Sequence, residues 1–271
     1  MNNLFDIAGK RVAITGAAGV LGKELASGLA KLGATVCVLD YKIDRGKELA
    51  QELIDAGGKA VAVECNVLEE ASAKQAAADI LELLGGLDVL INAAGGNKAD
   101  ATCTPPKTFF ELDPEAIKQV FDLNCMGTIL PTMHIGKLIA DSGCGSIINI
   151  SSMNAYRPLT RISAYSAAKA AVSNFTQWLA TYMAQNHSKQ IRVNAIAPGF
   201  FLTKQNRFLL KNDDDSLTDR GKTIIDHTPM GRFGESEELL GTLVWLISDA
   251  AKFVTGVVVP VDGGFDAFSG V

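Results

Sequence analysis

The stretch RVAITGAAGVLG, residues 11–22, decides the fold of this chain. Its first five residues form an apolar run that predicts a buried strand, and leucines at helical spacing follow the glycines and predict a helix. The turn between strand and helix contains Gly16, Gly19, Leu21 and Gly22. Glycines let a backbone approach a pyrophosphate, whose charge is stabilised by free N–H groups at the helix N-terminus. The turn therefore predicts a phosphate site, with a tight connection that binds nothing as the alternative.

Strand and helix patterns alternate along the rest of the chain. Further strands are expected at residues 34–40, 59–67, 87–96, 145–152, 190–199 and 256–264. Helices are expected at residues 45–56 and 69–84, from 114 onward, through 169–186, and at 236–248. This alternation is typical of an α/β fold whose parallel sheet is covered by helices on both faces. No linker interrupts it, so residues 1–271 are predicted to form a single domain, in which the irregular segment 200–232 is a substrate lid.

Composition limits the classes of partner. The chain has 271 residues, with 25 basic against 30 acidic side chains and no basic block. Neither nucleic acid nor an anionic membrane is therefore expected as a partner. The N-terminus lacks the basic and apolar regions of a signal peptide, and no apolar run is long enough to span a bilayer. A soluble, cytoplasmic protein is predicted.

No metal site is predicted. The five cysteines are scattered without a Cys-x-x-Cys pair, and reduced thiols in the core are expected. The acidic triplet Asp213–Asp215 is predicted to be a solvated turn and helix cap, because consecutive carboxylates cannot all face one ion.

The second and third predicted strands carry candidate cofactor residues at their ends. Asp40 stands where a dinucleotide fold places an acidic residue against the adenosine ribose. A carboxylate there repels a 2′-phosphate, which favours NAD(H). Lys42 and Arg45 could instead pair with that phosphate, so NADP(H) stays open, as does a helix-capping role for Asp40. Asn66 and Val67 lie at the end of the third strand, near an expected adenine ring.

The run NISSMNAYRPLTRISAYSAAK, residues 149–169, carries the candidate chemistry. In a helix, Tyr165 and Lys169 stand one turn apart on the same face. A nearby ammonium favours the phenolate and is expected to bring the tyrosine pKa from about 10 toward neutrality, which suits proton exchange with a hydroxyl or carbonyl. Ser152 follows a predicted buried strand and is expected to hydrogen-bond a substrate oxygen. Taken alone, the Tyr-x-x-x-Lys spacing also fits a solvent-exposed pair without function.

Two more segments point to the same edge of the sheet. The run NAAGGN, residues 92–97, places small residues after a strand end, where backbone can lie close to a ligand. Asn124 falls within the apolar stripe of the helix that begins near Pro114, and a buried asparagine has to be hydrogen-bonded. Two interpretations of Asn124 stay open. In the first it hydrogen-bonds neighbouring backbone, and in the second it is a residue of the reaction site.

These motifs, in this order, resemble those of the short-chain dehydrogenase/reductase family over essentially the whole chain. The resemblance rests on TGAAGVLG, Asp40, NAAG at 92–95, Asn124, Ser152, Tyr165-x-x-x-Lys169, PGFFLT at 198–203 and VDGG at 261–264. It implies a single-domain, Rossmann-type, doubly wound seven-stranded parallel sheet and hydride transfer between a nicotinamide and a carbonyl or alcohol. Val20, Asn66 and Ala93 depart from the family pattern, in the glycine turn, the third strand and the NAAG run respectively.

The resemblance also implies roles for individual residues. Tyr165 would be the acid/base, and Ser152 would position the substrate oxygen. Lys169 would hold the nicotinamide ribose and lower the tyrosine pKa, while Asn124 would hold a water that relays protons. Cofactor contacts are implied for Asn92, Ala93, Gly95, Tyr165, Lys169, Pro198, Gly199 and Thr203. Family members commonly form homodimers or homotetramers through the long helices that carry Asn124 and Tyr165.

Part of the chain is similar to family members described as D-mannonate oxidoreductases or fructuronate reductases. The similarity lies in residues 149–178 and in the runs IAPGFFLT and HTPMGRFGE. A sugar acid needs hydrogen bonds for its hydroxyls and a cation for its carboxylate, which arginine can clamp bidentately. The candidate substrate residues are Asn97, Ser152, Asn154, Arg157, Arg161, Lys204, Asn206 and Arg207, with His227 as a further lid contact. Solvated loop positions are the alternative for each of the cations.

The function predicted from these residues is an NAD(P)-dependent oxidoreductase that acts on a CH–OH group of a small polyhydroxylated substrate, a sugar acid. The alternative within the class is a 3-oxoacyl or 3-hydroxyacyl reductase, whose site should be more apolar than one flanked by Arg157 and Arg161. The alternative from another class is a catalytically inactive nucleotide-binding regulatory protein. That reading predicts a broken set of catalytic residues, whereas all four are present.

Overall fold

The computed structural model describes residues 3–203 and 206–270. In these residues, seven parallel strands form one sheet: β1 (Arg11–Thr15), β2 (Thr35–Asp40), β3 (Lys59–Glu64), β4 (Val89–Asn92), β5 (Gly145–Ile150), β6 (Ile191–Pro198) and β7 (Val258–Val261). The strand order across the sheet is β3-β2-β1-β4-β5-β6-β7. Because β1 pairs with both β2 and β4, the winding reverses between β1 and β4. A crevice is expected at the carboxyl ends of the strands beside such a reversal.

Helices cover both faces of this sheet. They are α1 (Val20–Lys31), α2 (Ile43–Asp55), α3 (Glu70–Leu84), α4 (Pro114–Phe121), α5 (Gly127–His134), α6 (Gly136–Ser142), α7 (Ser163–Asn186), α8 (Arg207–Leu210), α9 (Asp219–Asp226) and α10 (Glu238–Ile247). Residues of α1, α2 and α10 form one core cluster with the sheet, and residues of α3, α6 and α7 form the other. The predicted doubly wound α/β domain is confirmed.

The strands are apolar throughout because each of their faces meets one of these clusters. In β1, Val12 and Ile14 belong to the cluster under α1, α2 and α10, while Ala13 belongs to the opposite one. Alternate residues of a strand point to opposite faces, so a sheet covered on both sides has no polar face. All the side chains of β6 are buried for the same reason.

The expected long helix from Pro114 is interrupted. After α4 the chain forms a π-helical turn at Asp122–Met126, and α5 and α6 meet at Ile135. Pro131 lies inside α5 and cannot donate a backbone hydrogen bond, which weakens a regular helix there. The π turn carries Asn124, and such turns often occur at functional sites.

The irregular segment 200–232 contains α8 and α9 and a small core of its own. Leu210 and Ile224 pack with Phe233 in a separate apolar cluster. Within the predicted solvated turn, Asp215 forms ion pairs with Arg207 and Lys211. Movement of this segment as a lid remains a prediction. Within the described ranges, no helix has the length and apolar character needed to cross a membrane.

Candidate active site

A groove of about 620 Å³ runs along the carboxyl ends of the strands. Residues from the ends of six strands and the loops after them line it. The lining includes the following predicted cofactor and substrate residues: Gly16, Gly19, Leu21, Gly22, Asp40, Asn66, Val67, Ala93, Gly95, Asn97, Ser152, Tyr165, Pro198, Gly199 and Thr203. Most of the predicted cofactor residues therefore lie in one cavity.

The glycine turn packs too tightly for any side chain. A Cβ on Gly22 would lie 2.5 Å from the carbonyl oxygen of Gly16, and a Cβ on Gly16 would lie 2.9 Å from the Cα of Ala94. Gly16 also has φ of +63°, which disfavours other residues. No side chain caps the N-terminus of α1, and its first turn has no acidic residue. The N-terminal N–H groups of α1 therefore offer an anion site beside the groove.

Asp40 lies at the end of β2, beside the glycine turn, and lines the same groove. Only 5% of the residue is exposed, and its Oδ1 accepts a hydrogen bond of 3.0 Å from the backbone N–H of Lys42. This hydrogen bond is a local turn, so Asp40 does not cap α2 with its side chain. Arg45 lines the groove as well, and its guanidinium donates to the carbonyl oxygen of Ala18 at 2.7 Å.

Ser152 and Tyr165 face each other at the nicotinamide end predicted for the groove. The Ser152 Oγ accepts two hydrogen bonds from Asn154, at 3.2 Å from its backbone N–H and at 3.1 Å from its Nδ2. Because both acceptor positions of this oxygen are used, its proton is available to an external acceptor. Burial raises the pKa of Tyr165 above its usual value, and the Ser152 hydroxyl opposes that shift. Tyr165 is therefore a neutral phenol at pH 7.

Lys169 lies below the groove rather than in it. Its residue is 3% exposed, its Nζ donates to the carbonyl oxygen of Ile150 at 2.7 Å, and it sits 5.6 Å from the centre of the Tyr165 ring. The predicted stacking of the two side chains is present. Burial lowers the pKa of Lys169 from 10.5 to about 8. In this structure burial raises the pKa of Tyr165 instead, so the expected shift of the tyrosine pKa toward neutrality is absent.

The shifted pKa of Lys169 predicts a specific pH dependence of stability. Between pH 8 and 10.5 the unfolded chain binds a proton at this lysine that the folded protein releases, so its contribution to the free energy of unfolding rises with pH. Below pH 8 the full cost of about 3 kcal/mol is present. We expect Lys169→Met to remove this rise, measured as the difference between wild-type and variant urea unfolding across that window. Parallel stability profiles would contradict the burial of a titrating ammonium.

Asn124 is completely buried, and its amide is fully occupied by backbone. Its Nδ2 donates to the carbonyl oxygens of Gly96 and Val120, and its Oδ1 accepts from the N–H of Gly96. A Cβ on Gly95 would lie 2.7 Å from this Oδ1. Asn124 thus fixes the glycine edge of the groove, as the interpretation of a backbone-bonding residue expects. Its role in a proton relay stays a prediction.

Three predicted cofactor contacts differ in their placement. Asn92 is 1% exposed, and its Nδ2 donates to Thr132 and Asn149 inside the core, so its side chain does not reach the groove. Asn66 lines the groove, but its side chain bonds Leu68 and Glu69 in the turn that leads into α3. Val67 lines the groove directly, although β3 ends three residues earlier, at Glu64.

The candidate substrate residues separate into two groups. Asn97 and Ser152 line the groove, and Asn206 lines it while its amide bonds Thr203 and Phe201 within the same turn. The others lie elsewhere: Asn154 is buried behind Ser152, Arg157 pairs with Asp266, Arg207 pairs with Asp215, and Arg161 and His227 line a neighbouring cavity. Lys204 lies outside the described residues. Asn154 bonds the buried hydroxyl of Ser152, and Arg157 pairs with Asp266 of the C-terminal segment. Neither polar group is therefore free in the way that the sequence alone had suggested.

Several lining residues were not expected from the sequence. Leu123, Ile162, Phe200 and Phe201 form apolar walls near Ser152 and Tyr165. Their apolar character gives no signal in a chain with 48% hydrophobic residues, since core positions look the same. Of these residues, only Phe200 has a sequence signal for a position in the groove, because it directly follows Pro198-Gly199.

Comparison with known proteins identifies the family. Residues 16–266 match the family described as Enoyl-(Acyl carrier protein) reductase. The Bacillus subtilis uncharacterised oxidoreductase UxuB is 46% identical over 275 residues, which is 98% of this chain and 98% of UxuB. This chain belongs to the short-chain dehydrogenase/reductase family. It is an oxidoreductase of the type that acts on alcohol groups.

Two solved structures of the family resemble this one over almost their entire length. A Haemophilus influenzae protein provisionally described as a D-mannonate oxidoreductase, with bound NAD, is 47% identical with a TM-score of 0.91, covering 99% of this chain and 100% of that one. A gluconate 5-dehydrogenase from Burkholderia cenocepacia, in complex with NADP and tartrate, is 30% identical with a TM-score of 0.85, covering 98% of each chain.

The groove of this family member fits a nicotinamide dinucleotide. The turn at Gly16 and Gly22 has no room for side chains, the N-terminus of α1 is uncapped, and Asn124 fixes the backbone of the glycine edge through Gly96. These features suit a pyrophosphate and a flat ring against backbone. In the described part of the chain, no group of three or more His, Cys, Asp or Glu residues could hold a metal ion.

Proposed function

We propose that this protein interconverts a keto group and a hydroxyl group of a sugar acid of the D-mannonate/D-fructuronate type and prefers NAD(H). The observation that carries the proposal is the convergence of the Ser152 hydroxyl and the neutral phenol of Tyr165 on the dinucleotide groove. Similarity to the Haemophilus protein described as a D-mannonate oxidoreductase and to the Burkholderia gluconate 5-dehydrogenase supports a sugar acid as substrate.

The chain's own residues perform the proton transfer. The bound nicotinamide supplies the hydride in reduction and accepts it in oxidation. Ser152 donates its free proton as a hydrogen bond to the substrate oxygen, since Asn154 occupies its acceptor positions. Tyr165 then gives its phenolic proton to that oxygen in reduction and takes it back in oxidation. Lys169, buried beneath the ring, stabilises the phenolate that reduction leaves behind.

The preference for NAD(H) rests on the charges at the adenosine end. Asp40 puts a buried carboxylate into the groove, and a 2′-phosphate beside it would be repelled. Arg45 already donates to the Ala18 carbonyl in the glycine turn, so it is directed toward the pyrophosphate side. The runner-up preference, NADP(H), would require Arg45 or Lys42 to turn toward the ribose.

The experiment that tests the proposal is a substrate comparison. Purified protein is mixed with NADH and, in separate assays, with D-fructuronate, D-tagaturonate or an acetoacetyl thioester, and NADH oxidation is followed by absorbance. We expect kcat/KM for one of the two uronates to exceed that for the thioester by at least about 100-fold, since buried polar groups reject a substrate that leaves them unpaired. Turnover with the thioester alone would establish the acyl reductase instead.

Two further properties remain predictions. The protein is expected to be cytoplasmic and to assemble as a homodimer or homotetramer. Trp178 and Tyr182 stack on the outer face of α7 with their ring centres 5.1 Å apart and are 57% and 40% exposed, which leaves an aromatic surface on the helix expected at the interface.

A further inference from the structure

A second cavity, also of about 620 Å³, adjoins the reaction groove. Phe200 lines both cavities, and Arg161 of the second precedes Ile162, which lines the first. The second cavity lies between the 157–161 loop, the helix α9 of the segment 200–232, and the C-terminal residues Phe265 and Phe268. Three arginines line it, Arg157, Arg161 and Arg220. The cavity is therefore a basic chamber beside the site of proton transfer.

Within residues 3–203 and 206–270, Arg157 is the only one of these arginines whose side chain has a partner. Arg157 donates from Nε and Nη2 to the backbone carbonyl of Asp266, at 3.3 and 3.1 Å, and lies 3.2 Å from the Asp266 carboxylate. Among the residues that the structure describes, Arg161 and Arg220 have no carboxylate within ion-pair distance and no side-chain hydrogen bond. Of the described residues that line the chamber, Asp219 is the one with a carboxylate, and it is exposed.

The placement of the two unpaired arginines is electrostatically unfavourable on its own. Burial, and then the positive charge of Arg161, lower the pKa of Arg220 from its ordinary value. Arg220 also stands in the first turn of α9, where the positive end of the helix dipole disfavours a cation. Two guanidinium groups that repel each other at a helix N-terminus are stabilised together by one bound anion.

The lining selects a carboxylate attached to a hydroxylated chain. The rings of Phe200, Phe265 and Phe268 exclude water from one side of the chamber, which strengthens an ion pair inside it. The Nδ1 of His227 donates to the carbonyl of Thr223 at 3.2 Å, which adds a polar ring to the lining of the chamber. Arg161 belongs to the loop before α7 and Arg220 to the segment 200–232, so one anion would join the two.

We propose that Arg161 and Arg220 together bind the substrate carboxylate and so select a sugar acid over a neutral sugar. This inference rests on the proposed function, whose Ser152 and Tyr165 act on the other side of Phe200. Of the arginines that the sequence offered for the carboxylate, it keeps Arg161 and sets aside Arg157 and Arg207, both of which pair with aspartates of this chain.

Binding can be measured without turnover. D-mannonate and, separately, D-mannitol are titrated by calorimetry into the protein saturated with NADH, which cannot oxidise either compound. We expect Arg161→Met and Arg220→Met each to raise the Kd for D-mannonate by about 10- to 100-fold and to change that for D-mannitol little. In the double variant, the Kd for D-mannonate should rise by no more than about the product of the two single increases. Arg220→Lys should have a Kd between those of the wild type and Arg220→Met, because lysine cannot form the paired hydrogen bonds.

The controls separate this role from a structural one. Lys222→Met removes the same charge from an exposed position of the same helix and should leave both Kd values unchanged. The two arginine variants should melt no lower than the wild type, because they relieve repulsion, and should retain their affinity for NADH. If the wild type reduces a uronate but both arginine variants keep the wild-type Kd for D-mannonate, the carboxylate site is overturned while the proposed function stands. A wild type that neither reduces a uronate nor binds D-mannonate would overturn the proposed function and this inference together.

Discussion

Tyr165→Phe is expected to lower kcat by about 10²- to 10⁴-fold and to leave the Kd for NADH nearly unchanged. The phenol of Tyr165 is the proposed proton donor in the groove, which Ser152 also lines, and phenylalanine keeps the ring and its packing against Lys169. Because burial raises the tyrosine pKa, the group stays protonated at neutral pH, and the reduction rate should be flat there and fall only at alkaline pH. Steady-state kinetics and NADH fluorescence titration measure the two quantities.

The matched control for this variant is Tyr182→Phe. Tyr182 lies on the same helix, is exposed, and stacks on Trp178 away from the groove. Its loss of a hydroxyl should leave kcat unchanged. A Tyr165→Phe enzyme that kept most of its kcat would mean that another group or water donates the proton.

Asp40→Ser is expected to raise the ratio of kcat/KM for NADPH to that for NADH by about 10²- to 10³-fold. At an effective dielectric constant of about 20, two unit charges 4 Å apart repel each other by about 4 kcal/mol, and each 1.4 kcal/mol is a factor of ten. Serine removes the carboxylate but can still accept the hydrogen bond that Lys42 N–H donates to Asp40. Steady-state kinetics with both cofactors measure the ratio.

Asp44→Ser supplies the control for that change of charge. Asp44 is exposed in the first turn of α2, and it does not line the groove. The same loss of one negative charge there should move the cofactor ratio by little more than twofold, because solvent screens it. An equal shift in both variants would show that overall charge, rather than the carboxylate at the end of β2, sets the preference.

Short-range patterns in the sequence predicted most of the fold and part of the candidate site. The glycine turn, the alternation of strand and helix, and the Tyr165-Lys169 pair are all short-range patterns. Most elements formed within a few residues of their expected positions, and the interrupted helix from Pro114 is an exception. The carboxyl ends of parallel strands meet at one edge, so residues from distant strands came together in one groove without any long-range information.

Other features of the site depend on tertiary packing and could not be predicted from the sequence. The direction of the Tyr165 pKa shift depends on burial, which the helical spacing of the pair does not reveal. Arg157 was a candidate ligand until the C-terminal segment brought Asp266 against it. Arg161 and Arg220 are far apart in the chain, and only the fold of the segment 200–232 places both on one chamber. Each of these features depends on residues that are distant in sequence, and no periodic pattern in the sequence shows which distant residues come together.

The proposed reaction is the transfer of a hydride from NADH to the keto carbon of a sugar acid bound in the groove beside Tyr165. The most direct measurement uses NADH deuterated at the transferring position of the nicotinamide together with D-fructuronate, followed by mass spectrometry and NMR of the product. The account predicts a hexonate one mass unit heavier than the unlabelled product, with the deuterium on the former keto carbon. A recovered keto acid without deuterium, or label found only in an acyl product, would contradict it.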